Sequence, residues 1–111
     1  VKDGSLNNFF HQIWWKKLLS DPSFTSKLKL RWAQLRASTL STSFIDKTID
    51  QHINLLKSNN AINRHFERWK ILGVKLPFNN FVGNTHQEEV DYLRNWIKKR
   101  LIWMDSEIVK L

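Results

Sequence analysis

The sequence predicts an all-α chain: one helical domain over residues 1–111, a bundle of four or five helices. Three observations predict it. The 111 residues include 3 Gly and 2 Pro, where an average chain of this length holds about 13. β-Sandwiches and small barrels need turn residues every ~8–12 positions, so both are disfavoured. Apolar residues recur at steps of three and four, the period of a helix face. Helix-start chemistry stands directly before two of these runs, at Asp21-Pro22 and at Thr85-His86-Gln87-Glu88.

The first helix is expected from about Leu6 to Leu19. Phe9, Phe10, Ile13, Trp14, Trp15, Leu18 and Leu19 cover more than one face, and a helix apolar on several sides is usually buried on several sides. The second should run from Pro22 to about Ala37, with Asp21 as N-cap and Pro22 at the first position, where no donor is needed. Phe24, Leu28, Trp32 and Leu35 mark its face. Lys27 to Trp32 also alternates as a half-buried strand would, but no second strand exists to pair with it.

The third helix begins near Ser41 or Ser43, with Ile45, Ile49, Ile53 and Leu56 as its stripe. Asp46 and Asp50 lie in its early turns, where the helix dipole favours anions. Ser58-Asn59-Asn60 weakens it, and the pattern resumes at Ile62, Phe66 and Trp69, as one bent helix or two. Residues 72–84 hold Gly73, Pro77 and Gly83 and form the one long loop. Leu76, Phe78, Phe81 and Val82 are expected to pack it down. Thr85 and Glu88 have capping-box spacing. The last helix should run from His86 to about Ile108, with Val90, Leu93, Ile97, Leu101, Met104 and Ile108 inside and Trp96 and Trp103 flanking.

A chain of this length should bury roughly 60–70% of its unfolded surface. No apolar run approaches the ~20 residues of a membrane-spanning helix. With 0 Cys there is no disulfide framework and no thiolate chemistry. The chain begins at Val1 rather than Met, which reads as a processed or excised piece.

The net charge of +8 invites a nucleic-acid or polyanion reading. It is +5 over residues 1–40, +3 over 41–85 and zero over 86–111. This spread fits a solvated surface better than a binding stripe, so nucleic acid is the alternative rather than the first reading. Lys16 and Lys17 beside Trp14 and Trp15 could imitate a base-stacking groove, but most aromatics fall at helix-core spacings.

Catalytic and ligand-binding patterns are weak. His11, His52, His65 and His86 are isolated, without the spacing that sets two metal ligands on one helix face. His86-x-x-Glu89 reads as structural. No Gly-x-Ser-x-Gly occurs. Gly83-Asn84-Thr85 has one glycine and no following Lys, so it reads as a cap rather than a phosphate cradle. No catalytic, cofactor-binding or metal residue is therefore assigned. Arg31 and Arg100 stand beside core tryptophans. At least one is expected to be mostly buried and bonded to a carboxylate, which Asp50, Glu67 or Asp105 could supply, or to main-chain carbonyls.

Several segments together resemble a known family. Trp14-Trp15-x-x-Leu18-Leu19-x-Asp21-Pro22-x-Phe24 is similar to a WW-x-x-LL-x-DP-x-F segment of the CotH kinase family, named for a bacterial spore-coat protein. Arg31-Trp32-x-x-Leu35-Arg36 resembles the RW-x-x-LR that follows. Arg68-Trp69 resembles the end of the family's RN-x-x-RW, with the Arg-Asn pair altered to Asn63-Arg64. Glu89-Val90, Leu93, Trp96-Ile97, Arg100 and Trp103-Met104-Asp105 resemble the terminal EV-x-x-L-x-x-WL-x-x-R-x-x-WMD helix. The resemblance runs from about residue 13 to 108.

It implies the C-terminal helical region of a longer kinase-like protein, with an upstream lobe as partner. ATP and a divalent metal are implied for that parent only, and no position here matches the motifs that would hold them. It also implies a bacterial parent that is secreted, surface-attached or spore-associated. Residues 6–19 are expected to stay partly exposed or to carry self-association.

Overall fold

The computed structural model describes residues 13–111; Phe9, Phe10, the turns expected from Leu6 and the side chain of Ile13 lie outside the described residues. Among the described residues five helices follow one another: α1 Ile13–Leu19, α2 Pro22–Arg36, α3 Thr42–Ser58, α4 Ala61–Arg68 and α5 His86–Val109. The described residues contain no strand. The alternating segment 27–32 is helical, as its cap demands.

Each helix start has a chemical cause. Asp21 accepts the Ser23 amide at 2.8 Å, and Pro22 opens α2. Thr25 is buried, and its hydroxyl returns to the Asp21 and Pro22 carbonyls. Ser41 caps α3 by accepting from the Phe44 amide at 3.2 Å. The weak point at Ser58-Asn59-Asn60 is a true break: Asn60 takes φ 51°, in the left-handed region. Asn is among the few side chains that tolerate this geometry. The chain thus makes two helices here.

α4 stops at Arg68, and Trp69 is already extended. The irregular segment is therefore longer than expected, covering residues 69–85. The Gly73 amide donates to the Gly83 carbonyl at 2.8 Å and closes its middle part. Gly73 needs its glycine, because its φ is +74° and a Cβ would meet the Asn84 side chain at 3.0 Å.

The loop is fastened to the start of α5. Thr85 accepts the Glu88 amide at 3.2 Å, the first arm of the capping box. The returning arm is displaced: Glu88 accepts from the Asn84 amide at 2.7 Å, and Glu89 from the Gly83 amide at 2.6 Å. Two carboxylates thus satisfy two loop donors at the positive end of the helix. Packing of the loop's apolar residues is uneven. Leu76, Phe81 and Val82 are half-buried, but Phe78 is 102% exposed, contrary to expectation.

The core is thin. Ile53, Val90 and Leu101 are its only buried apolar residues among those described. The accessible surface is 9201 Å², against about 6,500 Å² for a folded monomer of this mass. The radius of gyration is 18.7 Å, where about 13 Å is usual for this length. Burial therefore reaches only about half of the unfolded surface, short of the expected fraction. The cause is visible in the stripes: Leu56 and Leu93, expected inside, are 43% and 47% exposed. On α5, Leu93 lies at the border of the inner arc, and no helix reaches round to cover it.

Candidate functional site

Two polar clasps hold α5 against the rest of the chain. The first joins α2 to α5. The Trp32 indole Nε1 donates to Asp105 Oδ1 at 2.8 Å. Arg36 Nε donates to both oxygens of the same carboxylate, at 3.0 and 3.2 Å. Arg36 Nη1 also donates to the Leu40 carbonyl, which ties in the turn after α2. Trp32 and Arg36 stand one turn apart and so share a face. That spacing lets one carboxylate serve both donors.

The second clasp joins α3 to α5. Arg94 Nη1 donates to Asp46 Oδ1 at 3.0 Å, and Arg94 Nη2 to Asp50 Oδ1 at 2.5 Å. Lys98 Nζ lies 3.6 Å from the other Asp46 oxygen. Asp46 and Asp50 are again one turn apart, and Arg94 and Lys98 repeat the spacing on α5. Burial disfavours the Arg94 cation, but the bonds to Asp50 and Asp46 and their negative charge outweigh it and raise its pKa.

The residues singled out in the sequence divide accordingly. Trp32 and Asp105 meet in the first clasp. Asp21 and Pro22 start α2, and Phe24 is half-buried on it. Trp14 and Trp15 stack with ring centroids 4.5 Å apart and are 49% and 42% exposed. Arg68 lies over the Trp69 ring at 5.3 Å, and Arg100 over Trp103 at 4.3 Å. Trp69, Trp96 and Trp103 remain 54%, 54% and 49% exposed.

The expectation for Arg31 and Arg100 fails: both are exposed, and neither meets a carboxylate. The arginines on carboxylates are Arg36 and Arg94. Asp50 and Asp105, expected as partners of Arg31 or Arg100, accept instead from Arg94 and from Arg36 and Trp32, and Asp46 joins Asp50 on Arg94. The spacing of Asp46 and Asp50 was the available signal, because two carboxylates one turn apart call for a cation across the interface.

The two clasps join α5 to α2 and to α3. Among the described residues, no three His, Asp or Glu side chains gather where a metal ion could be held. The acids of both clasps are engaged by arginine, lysine or indole donors. The donor set therefore does not fit ATP with a divalent metal. Among the described residues, no helix is long and apolar enough to cross a membrane.

No curated protein and no solved structure matches the chain. A family model described as CotH kinase protein matches residues 3–104. That span includes the tryptophan-containing segments of α1 and α2, the end of α4, and α5 almost to Asp105. The chain belongs to the CotH kinase protein family.

Proposed function

We infer that this chain is the C-terminal helical region of a CotH-like, kinase-like protein, and that it braces an upstream catalytic lobe without being catalytic itself. The observation that carries this reading is the exposed apolar surface. Trp14, Trp15, Trp69, Trp96 and Trp103 are all more than two-fifths exposed, while three of the described apolar residues are buried. Monomers rarely leave such area uncovered, and each Å² covered contributes about 25 cal/mol. The clasps hold α5, which carries Trp96 and Trp103, against α2 and α3.

In this reading ATP and a divalent metal bind to upstream residues of the parent, which is a bacterial, spore-associated or surface-attached phosphotransferase. Self-association through residues 6–19 competes as a cover for α1, but a charge of +8 on each copy opposes it.

The test is phosphate transfer from labelled ATP with Mg²⁺ or Mn²⁺, for the 111-residue chain and for the intact polypeptide. Transfer by the intact polypeptide alone is expected. Transfer that follows the isolated chain through purification would overturn the reading.

The alternative, a basic module for nucleic acid or another polyanion, draws on Arg68 over Trp69 and Arg100 over Trp103. Stacking on such indoles would quench their fluorescence with a steep salt dependence. Tight binding at physiological salt, lost on changing Trp69 or Trp103, would favour it.

A further inference from the structure

The segment 69–85 and α5 share an apolar surface on which Phe78, Tyr92, Leu93, Trp96 and Trp103 are exposed. Its upper end is the tip of the closed loop. Phe78 sits there fully exposed, with φ 69° in the left-handed region. That conformation is disfavoured for a residue other than glycine. Lys75 Nζ bonds the Asn79 carbonyl and holds the tip together. An aromatic side chain presented outward on a strained backbone contributes nothing to this chain's own core.

Beneath it, Phe81 stacks on Tyr92 with centroids 4.4 Å apart and planes 4° from parallel. A groove between the loop tip and α5 is lined by Phe78, Phe81, Tyr92, Leu93 and Trp96, together with Asn79, Asn80 and Glu89, whose carboxylate is taken up by the Gly83 amide. The apolar surface continues down the helix to Trp103. At 3.6 residues per turn, Tyr92, Leu93, Trp96 and Trp103 fall within about 100° of arc, away from the face of Val90 and Leu101.

The charges on this surface are unequal. Glu88 and Glu89 bond loop amides, Asp105 bonds α2, and Glu107 pairs with Lys110. Among the described residues Lys99 and Arg100 form no ion pair, and Arg100 lies over Trp103. The surface is therefore aromatic, with Arg100 within its arc, over Trp103, and Lys99 at its edge. A second copy would set like charges against one another.

We propose that the Phe78 tip and the outer face of α5 form the seat of the upstream lobe, which offers an apolar hollow for Phe78 and a carboxylate rim facing Lys99 and Arg100. This rests on the bracing reading above and names the surface and the chemistry of its partner.

The test is hydroxyl-radical labelling of side chains in the intact polypeptide and in the 111-residue chain. Phe78, Trp96 and Trp103 are expected to label at least about fivefold less in the intact polypeptide, as the centre of an interface should. Phe78→Asn keeps a residue that tolerates positive φ. It is expected to leave the melting temperature of the 111-residue chain within about 2 °C and to restore labelling of Trp96 in the intact polypeptide. Arg100→Glu should restore labelling of Trp103 there.

Protection of Trp14 and Trp15 alone would overturn the proposal and leave the bracing reading standing. Protection of no aromatic residue would overturn both. A dimer of the 111-residue chain that Trp103→Asp dissociates would also overturn the proposal.

Discussion

Trp32 and Asp105, 73 residues apart in sequence, meet at 2.8 Å across α2 and α5. The indole N–H can only donate, and the carboxylate can only accept while ionised. Arg36, one turn beyond Trp32, donates its Nε–H to both oxygens of the same carboxylate, a charge-assisted contact beside the indole bond. The Arg-Trp-x-x-Leu-Arg and Trp-Met-Asp segments that look separate in the sequence are thus two halves of one clasp.

Asp105→Ala removes the acceptor for both donors. It is expected to cost about 1–3 kcal/mol, a fall of roughly 5–15 °C in melting temperature for a chain this small. Asp105→Asn keeps an acceptor for Trp32 and should cost less. Thermal denaturation followed by circular dichroism measures both, and a wild-type melt for Asp105→Ala would contradict the clasp.

Arg94→Leu leaves Asp46 and Asp50 facing each other without a cation. The expected cost is about 1–3 kcal/mol, tempered by the exposure of Asp50. The raised arginine pKa sets the sign of the pH dependence. Its stabilisation is fully present below the unfolded value and is lost only as pH rises through the still higher folded value. Urea midpoints should therefore show no alkaline loss that disappears in Arg94→Leu between about pH 7 and 10.

Lys110 donates to Glu107 at 2.5 Å, and this bond lowers the Glu107 pKa. A depressed carboxylate stabilises above its unfolded pKa, and that contribution fades as pH falls through the folded value. Carbon-detected NMR titration should place Glu107 below an ordinary glutamate. Lys110→Ala should move it upward, and an unchanged midpoint would refute the pairing.

Asn60 separates α3 from α4 through its left-handed backbone. Asn60→Gly should be nearly neutral, whereas Asn60→Ile should cost about 1–2 kcal/mol, because a β-branched residue resists positive φ. Equal melting temperatures for the two variants would show that the break has another cause.

Much of the helical layout was legible because local chemistry decides it. Asp21-Pro22 and Thr85 with Glu88 mark helix starts that no tertiary contact needs to choose. The Asn59-Asn60 break was visible as weakness, but not as a break, since only the backbone angle at Asn60 settles it. Burial was less legible. Leu56 and Leu93 look like core by periodicity, and Phe78 by being an apolar residue of the loop, but neither signal says what covers the side chain. The same limit misled the reading of Arg31 and Arg100, because standing beside a tryptophan in sequence does not place a guanidinium against a carboxylate. Arg36 and Arg94 hold those positions, set by the helix crossings.

The most direct test of the bracing role is amide hydrogen exchange along α5, in the 111-residue chain and in the intact polypeptide. With three buried apolar residues, the isolated chain should open readily, and its α5 amides should exchange quickly. Docking of the outer face should slow exchange between Leu93 and Met104 by about tenfold or more in the intact polypeptide, the effect of a ligand that binds only the folded form. Equal exchange rates in the two would contradict the account, because the exposed faces would then be covered by nothing.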